Sequence, residues 1–511
     1  MTEPLNLGDF VSRTQEADRP LFIGLDFDGT ARIMTRAAFD EMADAVARGL
    51  IKGGIGRGDR IAILAANRPE YVAVLMGAMR AGVVPVPVNF KFPAATIAHV
   101  IADSGAKLVI YDAERRAALD GVALPDVALP DVALAAFDGE GPGTLAAWLD
   151  AGPFTPVTPA ADEPALSLYT SGSTGRPKGV LLSHASHLWV ARTRMGETDL
   201  SRERMLIAAP LYHMNALALA VLACASGTTA VLLPQFRAVP YIEAISRLGC
   251  TFLTAVPPMI AMMLREKAAL AEADLSGVRM VRMGSAPVTD ALAEQIGKLL
   301  PNARIINAYG TTEGGPIVFA GHPDGVPTPM GSVGYPHPQV QVRLVGPDAP
   351  HAGVLEMKSP AVMLGYHNRP DVRSPITADG YYNTGDVFRR DADGFFYFIG
   401  RADDMFVCGG ENIFPGEVEA VLDSHPAVMQ SCVVPVPDDI KGEKPVAFVV
   451  RRAGVEVDEA ALKQFVLANA PAYQHPRRVW FVEQMPLAST NKIDRAGLKA
   501  RAVAELAALG S

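Results

Sequence analysis

Tyr169-Thr170-Ser171-Gly172-Ser173-Thr174-Gly175-Arg176-Pro177-Lys178-Gly179-Val180 is the stretch from which the rest of the chain is read. Three glycines, four Ser/Thr hydroxyls and two cations fall within it. Backbone N–H groups and hydroxyls in such a loop can surround an anion with several oxygens, and Arg176 and Lys178 offset its charge. Nucleoside triphosphate is the anion expected. The Walker pattern GxxxxGK[ST] is not met, because Lys178 is followed by Gly179. Ala165-Leu166-Ser167-Leu168-Tyr169 before the loop and Val180-Leu181-Leu182 after it read as strands, and Ser183 as a helix N-cap. The prediction is a strand–loop–strand phosphate clamp.

On both sides of this loop, apolar strands alternate with amphipathic helices. Helices are predicted at Phe39–Leu50, Pro69–Arg80 and Ala94–Ser104, and strands at Arg60–Leu64, Val83–Val88 and Lys107–Tyr111. The alternation predicts an α/β fold with parallel sheets covered on both faces. A tandem Val-Ala-Leu-Pro-Asp echo within residues 122–134 reads as a surface connection.

At 511 residues the chain is too long for one core. Its hydrophobic content of 49% with 20% charged residues excludes disorder, and its net charge of −9 argues against nucleic acid as main partner. Cys224, Cys250, Cys408 and Cys432 lack metal-type spacing and read as buried thiols of a cytoplasmic protein. Ala216–Ala225 is too short to span a bilayer and reads as a buried helix.

Tyr169 to Val180 resembles the signature of the adenylate-forming superfamily, which includes acyl-CoA synthetases, luciferase and peptide-synthetase adenylation domains. Asn307-Ala308-Tyr309-Gly310-Thr311-Thr312-Glu313-Gly314 is the second signature. There Tyr309 offers an aromatic face to adenine, Asn307 an amide to its exocyclic amine, Thr311 and Thr312 donors to the α-phosphate, and Glu313 a carboxylate to Mg²⁺. The resemblance implies further roles. Thr170, Ser171, Gly172, Ser173, Thr174, Gly175 and Lys178 would hold phosphate, with Thr174 also at the metal. Gly284, Ser285 and Ala286 would cradle adenine, and Asp386 and Arg401 would bind ribose and phosphate. Lys492 would swing onto the forming acyl-phosphate; the usual Gly before this lysine is Asn491 here.

The resemblance also implies a large N-terminal domain, residues 1–401, of α/β subdomains and a small mobile C-terminal α/β lid, residues 402–511, hinged at Asp403. Rotation of the lid would bring Gly409 and Gly410 beside a pantetheine tunnel. By position, Lys441, Tyr473 and Arg477 are candidates for the nucleotide end of CoA. His213 matches a gate between acyl pocket and phosphates. Tyr212-His213 supplies no carboxylate for an α-amino group, which argues against an amino-acid substrate.

The positions resembling the acyl pocket are His213, Met214, Asn215, Met283, Ala308, Gly310, Gly315 and Pro316. If Met283 lines the pocket, strand alternation turns Arg282 away, so Arg282 is not assigned to a distal substrate carboxylate. The implied function is an AMP-forming carboxylic acid–CoA ligase using ATP, Mg²⁺ and CoA. Its acid would be aryl, arylpropenoic or short-to-medium aliphatic. Alternatives are loading of a separate carrier protein, luciferase-type oxygenation, or a catalytically silent nucleotide-binding protein; a homodimer is an open assembly state.

Overall fold

The computed structural model describes residues 5–509 apart from 14–15, 121–131, 171–175, 285–287, 289, 409–410, 439 and 489–491. Most of the Val-Ala-Leu-Pro-Asp echo therefore lies outside the described residues.

The strands with unbroken apolar runs assemble, among the described residues, into a seven-stranded sheet. Its order is Arg304–Ala308, Met280–Gly284, Phe252–Ala255, Arg204–Ile207, Thr229–Leu232, Pro20–Leu25 and Ala31–Thr35. All neighbours are parallel except the last pair, an N-terminal hairpin. Helices Ala238–Leu248, Pro257–Met263 and Asp290–Leu299 supply the core on one face. Helices His184–Glu197 and Met214–Ser226 lie on the other. Ser183 caps the first of these by accepting from Ser186 N at 3.1 Å.

A second sheet, Val84–Pro87, Arg60–Leu64, Ala106–Tyr111 and Ala133–Ala136, is parallel throughout. Helix Pro69–Arg80 is buried at every residue except Glu70, as an all-round apolar helix must be. It packs against helix Arg36–Lys52 at Gly77, where a Cβ would stand 2.5 Å from the Ala43 carbonyl oxygen. Only a residue without a side chain permits that approach.

The phosphate-loop strands form an antiparallel hairpin, with Tyr169 opposite Gly179 and Thr170 opposite Lys178. An antiparallel four-stranded sheet also forms, from Gln341–Val345, Ala352–Lys358, Tyr382–Arg390 and Phe396–Arg401. The parallel expectation holds for the two large sheets apart from the N-terminal hairpin, and again for the pair Gly442–Arg451 with Val479–Phe481; the short connections Val345 to Ala352 and Arg390 to Phe396 permit only hairpin pairing.

A smaller C-terminal domain follows, with a sheet of its own. Strand Gly442–Arg451 pairs with Val428–Asp438 and Val479–Phe481, and helices Pro415–Asp423, Glu459–Asn469 and Arg495–Leu509 accompany them. Asp423 is buried there and accepts from Ser431 Oγ at 2.7 Å. Burial pushes its carboxyl up to about 8. The folded pKa lies above the unfolded value of about 3.9, so the native state binds the proton more tightly. The resulting stability is complete below about pH 4 and is lost as pH rises through about 8. Asp423→Asn should flatten the fall in stability between pH 5 and 8, followed by urea unfolding at several pH values. An equally steep fall in the variant would remove Asp423 as its source.

All four cysteines are free and buried. Among the described residues no helix is long and apolar enough to cross a membrane.

Candidate active site

The site lies at the carboxyl ends of the seven-stranded sheet, between it and the C-terminal domain. Ser171, Gly172, Ser173, Thr174 and Gly175 fall outside the described residues; Thr170, Arg176 and Lys178 frame them. Lys178 Nζ stands 4.7 Å from the centroid of the Tyr366 ring, and Tyr366 Oη donates to Glu313 Oε1 at 3.2 Å. The phosphate-loop lysine and the acidic signature residue thus meet across one tyrosine. Tyr366 arrives on the two-residue strand Gly365–Tyr366, which pairs antiparallel with Lys178–Ser183. No spacing signal in the sequence marks it, since the pairing spans nearly two hundred residues.

The second signature ends in a tight turn. Thr311 N donates to Gly315 O at 3.3 Å and Gly315 N to Thr311 O at 2.9 Å, while Gly314 N reaches Thr311 Oγ1 at 2.8 Å. Gly315 has φ 89°, and a Cβ there would lie 2.3 Å from Ala361 Cβ. Gly315→Ala should therefore cost roughly 2–4 kcal/mol, from the left-handed backbone and the overpacking together. Urea unfolding measures this, and a loss within experimental error would mean that the turn relaxes freely. Thr312 is half-buried beside Thr311.

Asn307 Nδ2 donates to the carbonyls of Gly331 and Ser332 at 3.3 and 3.4 Å, which leaves Oδ1 as its acceptor. Tyr309 packs edge-on against Phe388, with centroids 4.8 Å apart. Its hydroxyl donates to Asp386 Oδ2. Arg401 Nη1 donates to Asp386 Oδ1 at 3.2 Å and its Nε to Asp403 Oδ1 at 2.7 Å. Burial raises the Asp386 pKa, against the lowering effect of Tyr309 and Arg401. Asp403 lies in the short stretch between strand Phe396–Arg401 and strand Phe406–Cys408, where the chain passes between domains.

Lys492 sits on a C-terminal-domain turn closed by Ala488 N donating to Lys492 O at 2.7 Å. Asn491 lies outside the described residues. The Lys492 side chain keeps contact with solvent, yet protein atoms surround most of it. Burial lowers its pKa, Asp386 raises it and Arg401 lowers it. On the opposite wall, burial pushes His213 down to about 4, assisted by the charges of Lys492 and Lys91. His213 is therefore a neutral imidazole at physiological pH. His213 Nε2 and Tyr212 Oη are both buried without a hydrogen-bond partner among the described residues. Such orphan polar atoms in a cleft suit a ligand that supplies the missing bonds.

His213 begins helix Met214–Ser226. Met214 is 8% exposed with Sδ 3.3 Å from His187 Nε2, and Asn215 is half-buried. Gly284 lies against Ala308, where a Cβ would stand 2.9 Å from the carbonyl oxygen; Ser285 and Ala286 lie outside the described residues. Gly310 abuts Pro316, since its Cβ would fall 2.7 Å from Pro316 Cα.

Met283 requires a correction. It is 0% exposed and belongs to the core beneath helices Ala238–Leu248 and Asp290–Leu299. Alternation then places Arg282 on the opposite face with Gly284, where Arg282 Nη2 donates to Pro316 O at 3.4 Å. Met283 thus fills the core, and Arg282 shares the other face with Gly284. A strand with both faces buried carries no polarity alternation to indicate which side holds the pocket.

Gly409 and Gly410 lie outside the described residues, flanked by Cys408 paired with Glu411 and Gly442. Lys441 is exposed beside Gly442. The charges of Lys441, Lys463 and Arg477 all act on His475 and lower its pKa, after burial, so these groups form one cationic patch. Lys463 and His475 were not singled out from sequence, because only the domain's folding gathers them. Tyr473 instead packs against the hydrophobic core of this domain.

The AMP-binding enzyme model matches residues 11–367, and the AMP-binding enzyme C-terminal domain matches residues 417–492. A feruloyl-CoA synthase of Amycolatopsis sp is 34% identical over 93% of this chain and 94% of its own length. A sulfoacetate–CoA ligase of Cupriavidus necator is 32% identical over 95% of each. The crystal structure of the anthranilate CoA ligase AuaEII with anthranoyl-AMP superimposes with a TM-score of 0.88, at 25% identity and 99% coverage of both chains. With matches of this extent at both domains, the chain belongs to the AMP-binding enzyme family, the adenylate-forming superfamily.

Proposed function

We propose that this chain is an AMP-forming carboxylic acid–CoA ligase whose acid is aryl, arylpropenoic or short-to-medium aliphatic. The observation that carries the reading is the junction of Lys178 and Glu313 across Tyr366 at the mouth of the sheet, with the charge of Lys492 acting on His213 nearby. Cations there face the place where phosphate charge would develop.

The acid's carboxylate is already anionic at neutral pH, so it attacks without a general base. Its oxygen bonds to the α-phosphorus of ATP as the bond to pyrophosphate breaks, giving an acyl-adenylate. Lys492 and Lys178 stabilise the negative charge on the phosphoryl oxygens, and Thr311 and Thr312 donate to them. Asp386 accepts from the ribose hydroxyls, held in place by Tyr309 and Arg401. Asn307 Oδ1 accepts from the adenine amine, and the Tyr309 ring borders the base. Neutral His213 adds no charge to the acyl entrance.

Glu313 and Thr174 would hold Mg²⁺. Glu313 fits, because Tyr366 occupies one carboxylate oxygen and leaves the other to a hard cation. When bound, the ion neutralises charge on the phosphates.

In the second half-reaction the CoA thiol attacks the acyl carbon and AMP leaves. Rotation about Asp403 withdraws Lys492 and brings in the glycine turn. The patch of Lys441, Lys463 and Arg477 suits the phosphates of CoA, which favours CoA over a carrier protein as acceptor. Residues 1–401 and 402–511 are the moving bodies in this account, and the location is cytoplasmic.

Mass spectrometry of products formed from Mg-ATP, CoA and a panel of acids, with CoA omitted in parallel, tests the reading. Acyl-CoA with AMP is expected. Acyl-adenylate without thioester would transfer the acceptor to a carrier protein, and no product with any acid would end the ligase reading.

A further inference from the structure

We propose that the acyl pocket contains a second anion-binding subsite formed by Arg282 and Arg194, so that the acid carries a second anionic group, carboxylate or sulfonate, at its far end. The inference rests on the ligase reading and deepens it.

Arg282 shares a sheet face with Gly284, and its register partner Ile306 lies on the same face as Ala308, the partner of Gly284. This is the side covered by helix His184–Glu197, which carries Arg194. Arg194 Nη2 and Arg282 Nη2 both donate to the Pro316 carbonyl, at 3.2 and 3.4 Å. Two guanidinium groups thus converge on one neutral acceptor in a part-buried position.

The local charges do not balance. Glu197 pairs with Arg194 Nη1 at 3.0 Å, and Arg282 makes no ion pair among the described residues. His337 Nε2 lies 3.4 Å from Glu197, and burial lowers its pKa, which favours the neutral imidazole. Two cations face one carboxylate. Burial and Arg194 push the Arg282 pKa well below its ordinary value while Glu197 raises it. A guanidinium keeps its proton in proteins, so this marks a charge whose lost hydration is unmet. An anion with two oxygens meets that need in the fork geometry arginine favours.

The position also fits the pocket. Arg282 is two residues, or roughly 7 Å, down the strand from Gly284, whose end of the sheet faces the nucleotide. Pro316, the shared acceptor, abuts Gly310. An acid held by its reacting carboxylate at the strand ends would direct a distal group toward the two arginines.

The test compares acids in which an isopropyl group replaces the distal carboxylate at similar shape: succinate with 4-methylpentanoate, and terephthalate with 4-isopropylbenzoate. A 3-sulfopropanoate arm distinguishes sulfonate from carboxylate. For the parent protein, kcat/KM for acyl-CoA formation should favour at least one dianionic acid by more than about tenfold over its partner. Arg282→Met should abolish that preference, chiefly through KM, and Arg282→Lys should restore part of it. Calorimetric titration of the same acids with a non-hydrolysable ATP analogue present gives a readout independent of turnover. Thioesters formed from the isopropyl acids with no dianion preference would overturn the subsite while leaving the ligase intact. Dianion binding lost in Arg282→Met, with no thioester from any acid, would retain the subsite and end the ligase reading. Absence of both dianion binding and dianion preference overturns the proposal.

Discussion

Lys492→Ala should lower the rate of acyl-adenylate formation by about 10²–10³-fold, the usual effect of removing one preorganised charge from a transition state. The charges of Asp386 and Arg401 act on Lys492, and that of Lys492 acts on His213. Its ammonium meets charge that accumulates on the phosphoryl oxygens only during transfer, so the loss should appear in kcat more than in the KM for ATP. Thioester formation from supplied acyl-adenylate should persist within a few fold, because the proposed rotation about Asp403 withdraws the lysine before that step. Pyrophosphate release and single-turnover thioesterification measure the two halves separately. Equal loss of both would contradict the two-conformation account. Asp403→Pro should give the reverse pattern, since a fixed φ at the crossing between domains impedes rotation.

The largest expected effect on stability is at Arg80. Its side chain is 0% exposed, and four of the five N–H groups of its guanidinium have acceptors. Nε donates to Gly8 O at 2.9 Å, and Nη1 to Asp44 Oδ1 at 2.6 Å and to Asp40 O at 3.1 Å; Nη2 pairs with Asp40 Oδ1. This one residue joins the N-terminal turn, helix Arg36–Lys52 and helix Pro69–Arg80. Arg80→Met preserves the volume but leaves Asp40 and Asp44 beside an apolar chain. A loss of about 3–5 kcal/mol is expected, as for a buried pair with one partner removed. Adding Asp40→Asn to Arg80→Met should recover part of it, because it removes one of the two charges deprived of Arg80, the one left, among the described residues, only with Arg13 Nε at 3.4 Å. Urea unfolding of the single and double variants gives both numbers. A loss below about 1 kcal/mol for Arg80→Met would show that water reaches the aspartates and that the arginine is dispensable.

What the sequence determined by itself was local. Helices Pro69–Arg80 and Ala94–Ser104 have the ends expected of them, and Ser183 caps the helix it should. In these stretches apolar spacing, prolines at helix starts and capping hydroxyls act within a few residues, so the signal and the structure occupy the same segment. The two strands that flank the phosphate loop and the tight turn at Thr311–Gly315 were legible for the same reason, since each signal lies within a dozen residues or fewer. Tertiary structure alone decided which face of strand Met280–Gly284 enters the core under helices Ala238–Leu248 and Asp290–Leu299, and it placed Met283 there and Arg282 on the other face. It alone brought Tyr366 between Lys178 and Glu313, set Arg194 beside Arg282, and gathered Lys463 and His475 with Lys441 and Arg477. These arrangements join groups far apart in the chain. They depend on which helices cover which side of a sheet buried on both faces, where hydrophobicity is the same on either side and leaves no pattern in the sequence to read.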